Sequence, residues 1–140
     1  MTDSENLDLV RSIYADWERG DFSGADWAHP EIEYVRAEGP EAGTWTGLAG
    51  MAKGARTYLD AWDERRFVAE EYRELDDERV LVFDDRSGRG RMNGLELAQM
   101  RTQSAHVFHV RGGEVTKLVI YLDRDRALAD LGLAPEGDAP

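Results

Sequence analysis

Residues 105–128, AHVFHVRGGEVTKLVIYLDRDRAL, decide how the rest of the chain reads. An apolar stretch turns at Arg111-Gly112-Gly113-Glu114 and runs back through Val115 to Leu122. Two glycines at the centre of a tight loop supply positive φ cheaply, so 95–111 and 115–122 read as a β-hairpin. Asp123 then starts and caps a short helix that ends at Gly132. Side chains alternate across a strand. On the first strand Ser104, His106, Phe108 and Val110 share one face, and Ala105, Val107 and His109 share the other. On the second, Leu118, Ile120 and Leu122 oppose Val119 and Tyr121. Both faces are apolar, whereas a small antiparallel sheet ordinarily needs only one such face.

Reading outward, Arg79–Phe83 (RVLVF) is a further strand that fades into the Gly/Arg-rich stretch 86–94. It places Val80, Val82, Asp84 and Arg86 on one face, with Leu81 and Phe83 on the other. Phe67–Leu75 precedes it across the turn Asp76-Asp77-Glu78. Glu31–Ala37 alternates as an earlier strand, and 38–47, with Pro40, Gly43 and Gly47, is a loop or short hairpin. Before these, Ser4 caps a helix whose stripe is Leu9, Val10, Ile13, Tyr14 and Trp17, closed by Gly20. Ser23 caps a short helix over Gly24–Ala28 that His29-Pro30 stops. A second long helix, Leu48–Arg66, carries Leu48, Met51, Ala55, Tyr58, Leu59 and Trp62 on its apolar side. Gly50 and Gly54 each weaken it by about 1 kcal/mol against Ala, so they mark close packing. The expectation is an α+β fold with helices on one face of a curved sheet. The second apolar face calls for a second copy of the chain, a homodimer, unless the N-terminal helix or the C-terminal segment wraps round it.

The chain has 140 residues and a net charge of −12, and no cysteine. Its length fits a single domain over 1–140, with 133–140 as a frayed tail. The acidic surface argues against nucleic acid and anionic membranes as partners. The absence of cysteine removes disulfides, thiolate nucleophiles and Cys-bound metals. MTDSENLDLV has neither the basic nor the apolar region of a signal peptide, so the chain is expected in the cytoplasm. No apolar run approaches the ~18 residues of a membrane span.

The pieces VRSIYADWERGD (10–21), HPEIEYV (29–35), WTGLAGMAKG (45–54), 105–128 and LGL (131–133) resemble the SnoaL-like branch of the NTF2-like superfamily. The resemblance implies a cone-shaped α+β barrel, a curved mixed or antiparallel sheet wrapped around a long helix with a hydrophobic pocket. It also implies a dimer through the outer sheet face. Relatives include ketosteroid isomerases, limonene-epoxide hydrolases, polyketide cyclases and members that only bind, so fold alone does not settle function. Carried over by position, the isomerase base falls at Arg36, which stays protonated and is no base. The isomerase oxyanion donors fall at Ile13, one residue from Tyr14, and at His106. The carboxylate that the hydrolase and cyclases place on the last strand falls at Ile120.

On the His106 face the pocket lining is then Phe108, Leu118 and Ile120, with Tyr14, Trp17, Tyr58 and Trp62 from helices and Tyr34 and Arg36 from the first strand. His106 is the candidate general base. Asp84, opposite or diagonal to it on the neighbouring strand, is the candidate orienter. Tyr14 or Tyr58 is a candidate donor to a substrate carbonyl, and Arg36 a holder of an anionic oxygen. Plainer readings stand beside these. His106 is also readable as a satisfied core histidine, Asp84 as an acid at the solvent rim, and Arg36 as a partner for one of the acids. His106 and His109 point to opposite faces and cannot share a metal, and no motif calls for a cofactor. Two functions follow: a cofactor-independent isomerase, cyclase, dehydratase or hydrolase acting on a small apolar oxygenated substrate, or a non-catalytic binding or accessory domain.

Overall fold

A computed structural model describes residues 2–19, 21, 24, 26–37, 42–59, 62–92 and 95–133, and their side chains except at 2–4, 57–59, 62–67, 86–92 and 95–102. The hairpin at 111–114 forms as its glycines require. Gly112 and Gly113 have φ of 61° and 81°, the left-handed pair of a type I′ turn. Around it the chain runs α1 (Thr2–Glu18), β1 (Ala28–Arg36), β2 (Gly43–Thr46), α2 (Gly47–Leu59), β3 (Trp62–Glu74), β4 (Arg79–Met92), β5 (Leu95–Arg111), β6 (Glu114–Tyr121) and α3 (Arg124–Asp130). The six strands form one mixed sheet in the order β2-β1-β6-β5-β4-β3. Every neighbouring pair is antiparallel except β1 with β6, which is parallel.

The strand parity holds. Rungs of paired residues cross the sheet, and the central one is Tyr72, Val82, His106, Ile120, Arg36. The rung beside it is Val80, Phe108, Leu118, Tyr34, Trp45. This inner face packs against Val10, Ile13 and Tyr14 of α1 and Met51 of α2, all buried. The outer face, Leu81, Phe83, Ala105, Val107, Val119 and Tyr121, is covered by Ala127 and Leu128 of α3. So the C-terminal segment wraps over the face that suggested a second copy, and the need to bury it is met within the chain. Asp123 caps α3 as expected, its carboxylate accepting from the Asp125 N–H at 2.9 Å. Gly132 (φ 73°) ends it, with the Leu133 N–H donating to Leu128 C=O at 2.8 Å and the Gly132 N–H to Ala129 C=O at 3.1 Å. That is a full Schellman closure.

Several element bounds differ from the sequence reading. α1 starts at Thr2, which puts Ser4 inside the helix rather than at its cap. Of the stretch 24–28 the described residues, 24 and 26–28, are not helical: Ala28 already pairs with Val115, and the Val115 N–H donates to Trp27 C=O at 2.8 Å. Pairing with β6 outweighs the local capping signal, and Pro30 sits where the β1–β6 register shifts, a place that tolerates its missing N–H. α2 stops at Leu59, and Trp62 begins β3, paired with Gly90. The four-residue spacing of Tyr58 and Trp62 imitates a helix stripe, but β4 extends to Met92 and recruits 62–66 as its partner. Leu48 and Leu122, expected inside, are exposed. Gly20, Ser23 and the tail beyond Leu133 lie outside the described residues.

Gly50 and Gly54 do mark close packing. A Cβ on Gly50 would stand 3.5 Å from Trp45, and one on Gly54 would stand 2.7 Å from the Trp45 ring. α2 therefore sits directly on Trp45, and its backbone comes within reach of Arg36.

Candidate active site

Asp84 is not at a rim. It is fully buried, and so are Ser104, His106 and Tyr14. Asp84 pairs with Ser104 across β4–β5, two pairs along from Val82–His106 and next to it on the same face, so the Asp–His relation is the diagonal one. The His106 Nδ1 stands 2.9 Å from the Asp84 Oδ2. The Tyr14 hydroxyl, from α1, donates to the same oxygen at 3.0 Å. The Ser104 hydroxyl donates to Oδ1. A carboxylate this deep is costly unless its lone pairs are used, and here they are. An ionised Asp84 favours the imidazole tautomer with its proton on Nδ1, leaving Nε2 as the basic nitrogen.

The ring of His106 lies in an aromatic frame. Tyr14 meets it edge-on at 5.9 Å, Trp17 lies 5.9 Å away, and Phe108 stacks at 6.0 Å. Tyr72 meets Tyr14 edge-on at 6.0 Å. Burial first, then Glu18, holds the Tyr72 hydroxyl above its usual pKa of 10.0, so it stays a neutral phenol at physiological pH. Tyr72 was not foreseen as a site residue. In strict alternation Ala69 and Tyr72 face opposite ways. The β3–β4 register shifts between Ala69 and Glu71, and this bulge turns both onto the inner face. The Ala69 N–H there donates to Glu18 at 3.2 Å.

Arg36 is buried on the same face, one strand beyond Ile120. Its guanidinium donates to the Gly54 C=O at 3.1 Å and lies 5.9 Å from both the Tyr34 and Trp45 rings. His106, Ile120 and Arg36 occupy three adjacent strands, so two strand spacings, about 10 Å, separate the imidazole's strand from the cation's. Leu118 is buried beside Phe108 and Tyr34. Trp17 is half-buried at the edge of the group, against Trp27 at 6.2 Å. The structure thus brings together His106, Asp84, Tyr14, Trp17 and Phe108, with Ile120, Leu118, Tyr34 and Arg36 along the same face. The side chains of Tyr58 and Trp62 lie outside the described set, and Trp62 belongs to β3 rather than to a helix. Tyr14 gives its one O–H to Asp84, so it supports the carboxylate instead of a substrate carbonyl. Among the described residues no three His, Cys, Asp or Glu side chains gather as a metal site. No described helix is long and apolar enough to cross a membrane.

No family model matches the chain, and no curated protein does. Solved structures do. TerC, crystallised with polyporic acid, aligns at TM-score 0.71 and 24% identity over 92% of this chain and 97% of its own. A provisionally assigned SnoaL-like polyketide cyclase from Jannaschia sp. CCS1 aligns at 0.72 and 13% identity over 99% and 95%. A ketosteroid isomerase-like protein from Catenulispora acidiphila DSM 44928, in complex with trimethylamine, aligns at 0.64 and 18% over 90% and 93%. The chain has the NTF2-like fold, in the α+β form that SnoaL-like and ketosteroid isomerase-like proteins share.

Proposed function

We propose that this chain is a SnoaL-like small-molecule enzyme that performs acid–base chemistry through His106 on a small apolar, oxygenated substrate. The observation that carries this reading is the buried Asp84, whose carboxylate accepts from the Tyr14 and Ser104 hydroxyls and stands 2.9 Å from the His106 Nδ1. In the step we infer, Nε2 removes a proton from substrate carbon or hydroxyl. Asp84 stabilises the imidazolium that forms, and the same proton is returned to the product. Trp17 and Phe108 offer the apolar surface, and Arg36 the charge that an oxyanion at the far end of the substrate would meet. The small ligands bound to TerC and to the Catenulispora protein support a small-molecule site in this fold. Isomerase and cyclase chemistry fit this step as it stands; in a dehydratase the proton would leave with the substrate hydroxyl as water, and in a hydrolase Nε2 would take its proton from an attacking water and pass it to the leaving oxygen.

A second reading is a non-catalytic binding domain. The occupants of two positions favour it: Arg36 and Ile120, paired directly across β1–β6, stand where the resemblance sets carboxylates. A homodimer through the outer sheet face is proposed with either reading, the half-buried fringe of that face being Val35 and Ala37 on the β1 side and Leu75 on the β3 side. Sedimentation equilibrium of the full chain tests it, and a single monomeric species at all concentrations would end it.

A thermal-shift screen of wild type and His106→Asn separates the two functions. The probes are polyporic acid, steroids, aromatic polyketides, terpenoid epoxides and acyl lactones. A ligand at ~100 times its Kd adds ~2.7 kcal/mol of stability, which is readily seen. The enzyme reading expects a binding class that wild type converts and His106→Asn, still folded, does not. Equal turnover by both proteins would overturn the assignment of His106. Binding with no turnover by wild type would support the second reading.

A further inference from the structure

Asp84 and Ser104 are addressed from both sides of the sheet. Their side chains lie on the inner face, and their backbone carbonyls are held from the outer one. The Arg124 guanidinium, at the first turn of α3, donates through Nη2 to Asp84 C=O at 2.9 Å and through Nε to Ser104 C=O at 3.2 Å. Asp84 and Ser104 are a registered pair, so one planar fork spans the rung that carries the carboxylate.

Both carbonyls face the seam between β4 and β5. The Val110 N–H donates across it to Glu78 C=O, and the Arg79 C=O points the other way to Leu75 N–H. Alternation from these carries the Asp84 and Ser104 carbonyls toward each other, within reach of one guanidinium. β6 ends opposite Ala105, one residue short of Ser104. β3 bulges at Glu70, opposite the Phe83–Asp84 step, so regular pairing is interrupted there. Bulges are enriched beside active sites, where they re-aim side chains. Glu70, the bulged residue, is paired with the same Arg124, whose side chain is 10% exposed against 38% for Glu70. The guanidinium lies 4.9 Å over the Phe83 ring. An exposed ion pair contributes little, but this arginine is mostly buried, stacked, and bonded to two carbonyls and a carboxylate.

We infer that Arg124 is a positioning residue: with Glu70 it clamps the Asp84–Ser104 rung from behind and so sets the Asp84–His106 geometry. The inference rests on the reading of His106 as the working base. β6 stops and β3 bulges on either side of this rung, so Arg124 reinforces the β4–β5 ladder where its neighbours give way, and a shift of the strand end moves the Asp84 carboxylate relative to Nδ1. α3 thereby has a second task besides covering the outer face.

The test follows the imidazole nitrogens of His106 by ¹⁵N NMR on the full chain, with His29 as the internal control and His106→Asn for assignment. The ionisable groups that face His106 are Asp84 from β4, Tyr14 from α1 and, beyond Tyr14, Tyr72 from β3. None is altered in the variants. Arg124→Lys keeps the charge but loses the fork, and Glu70→Gln keeps Arg124 but loosens its anchor. At least a threefold change in the Nδ1–H to Nε2–H ratio is expected in Arg124→Lys and a smaller change in the same direction in Glu70→Gln, with His29 unmoved. Unchanged His106 signals in folded Arg124→Lys would overturn the clamp. If that variant does not fold, Glu70→Gln decides by the same criterion. The general-base reading is judged separately: wild type carrying its proton on Nε2 would refute it, whereas the response to Arg124→Lys still judges the clamp.

Discussion

Gly54 shows how one missing Cβ places a cation. Its carbonyl accepts from buried Arg36, and its Cα faces the Trp45 ring that Arg36 also approaches. In Gly54→Ala the new Cβ would meet Trp45 at 2.7 Å, and overpacking of that kind costs ~1–3 kcal/mol, against ~1 kcal/mol gained in helix propensity. A lower Tm is expected. Gly50→Ala places its Cβ at 3.5 Å, an ordinary contact, so the propensity gain should leave Tm equal or higher. Calorimetry of the two variants checks the contrast. His109 gives a pH signature on the outer side of β5, the strand that carries His106. Burial, then Lys117 and Arg79, hold its pKa below 6.5. As pH falls below ~6.5 the unfolded chain takes up a proton before the native one does, so this group's effect is absent above that value and destabilising below it. In His109→Gln the urea midpoint should fall less steeply from pH 7 to pH 5 than in wild type. Equal slopes would show that His109 is not responsible.

α3 is short, seven residues, yet it carries burial out of proportion to its length. Ala127 and Leu128 are fully buried on the outer face with Leu81, Phe83, Val107 and Tyr121. The Tyr121 hydroxyl adds a bond to Asp130 at 3.1 Å. Leu128→Ala should cost about 3 kcal/mol, in the range for a buried leucine left as a cavity, read from the midpoint of denaturant unfolding. A loss under ~1 kcal/mol would mean that α3 lies more loosely on the sheet. At the other end of the chain α1 is fixed in a comparable way, with the buried Asn6 amide donating to the Asp77 C=O at 2.8 Å. That bond ties the helix bearing Tyr14 to the β3–β4 turn, so the two elements that carry Tyr14 and Asp84 are held in register.

Taken as a whole, the molecule divides between what local pattern dictates and what only packing decides. The glycine pair at 112–113, the Asp123 cap, the Gly132 stop and the two-residue period of β4, β5 and β6 are properties of neighbouring residues. They were legible because turn stereochemistry and strand alternation act over a few positions. His106 and Asp84 on one inner face followed from that parity, together with Phe108, Leu118 and Ile120. Long-range effects were not legible. Trp62 reads as helix by its spacing from Tyr58, but β4 takes it as a strand partner. Tyr72 reaches the site only through a bulge that no local signal announces. Asp84 reads equally as a rim acid until α1 lays Tyr14 over it. The two apolar faces were plain from the alternation alone, yet which body covers each depends on where the helices come to rest. α3 on the outer face, and with it the reach of Arg124 to the backbone of Asp84 and Ser104, is set by tertiary packing, because contacts between distant segments leave no period in the sequence.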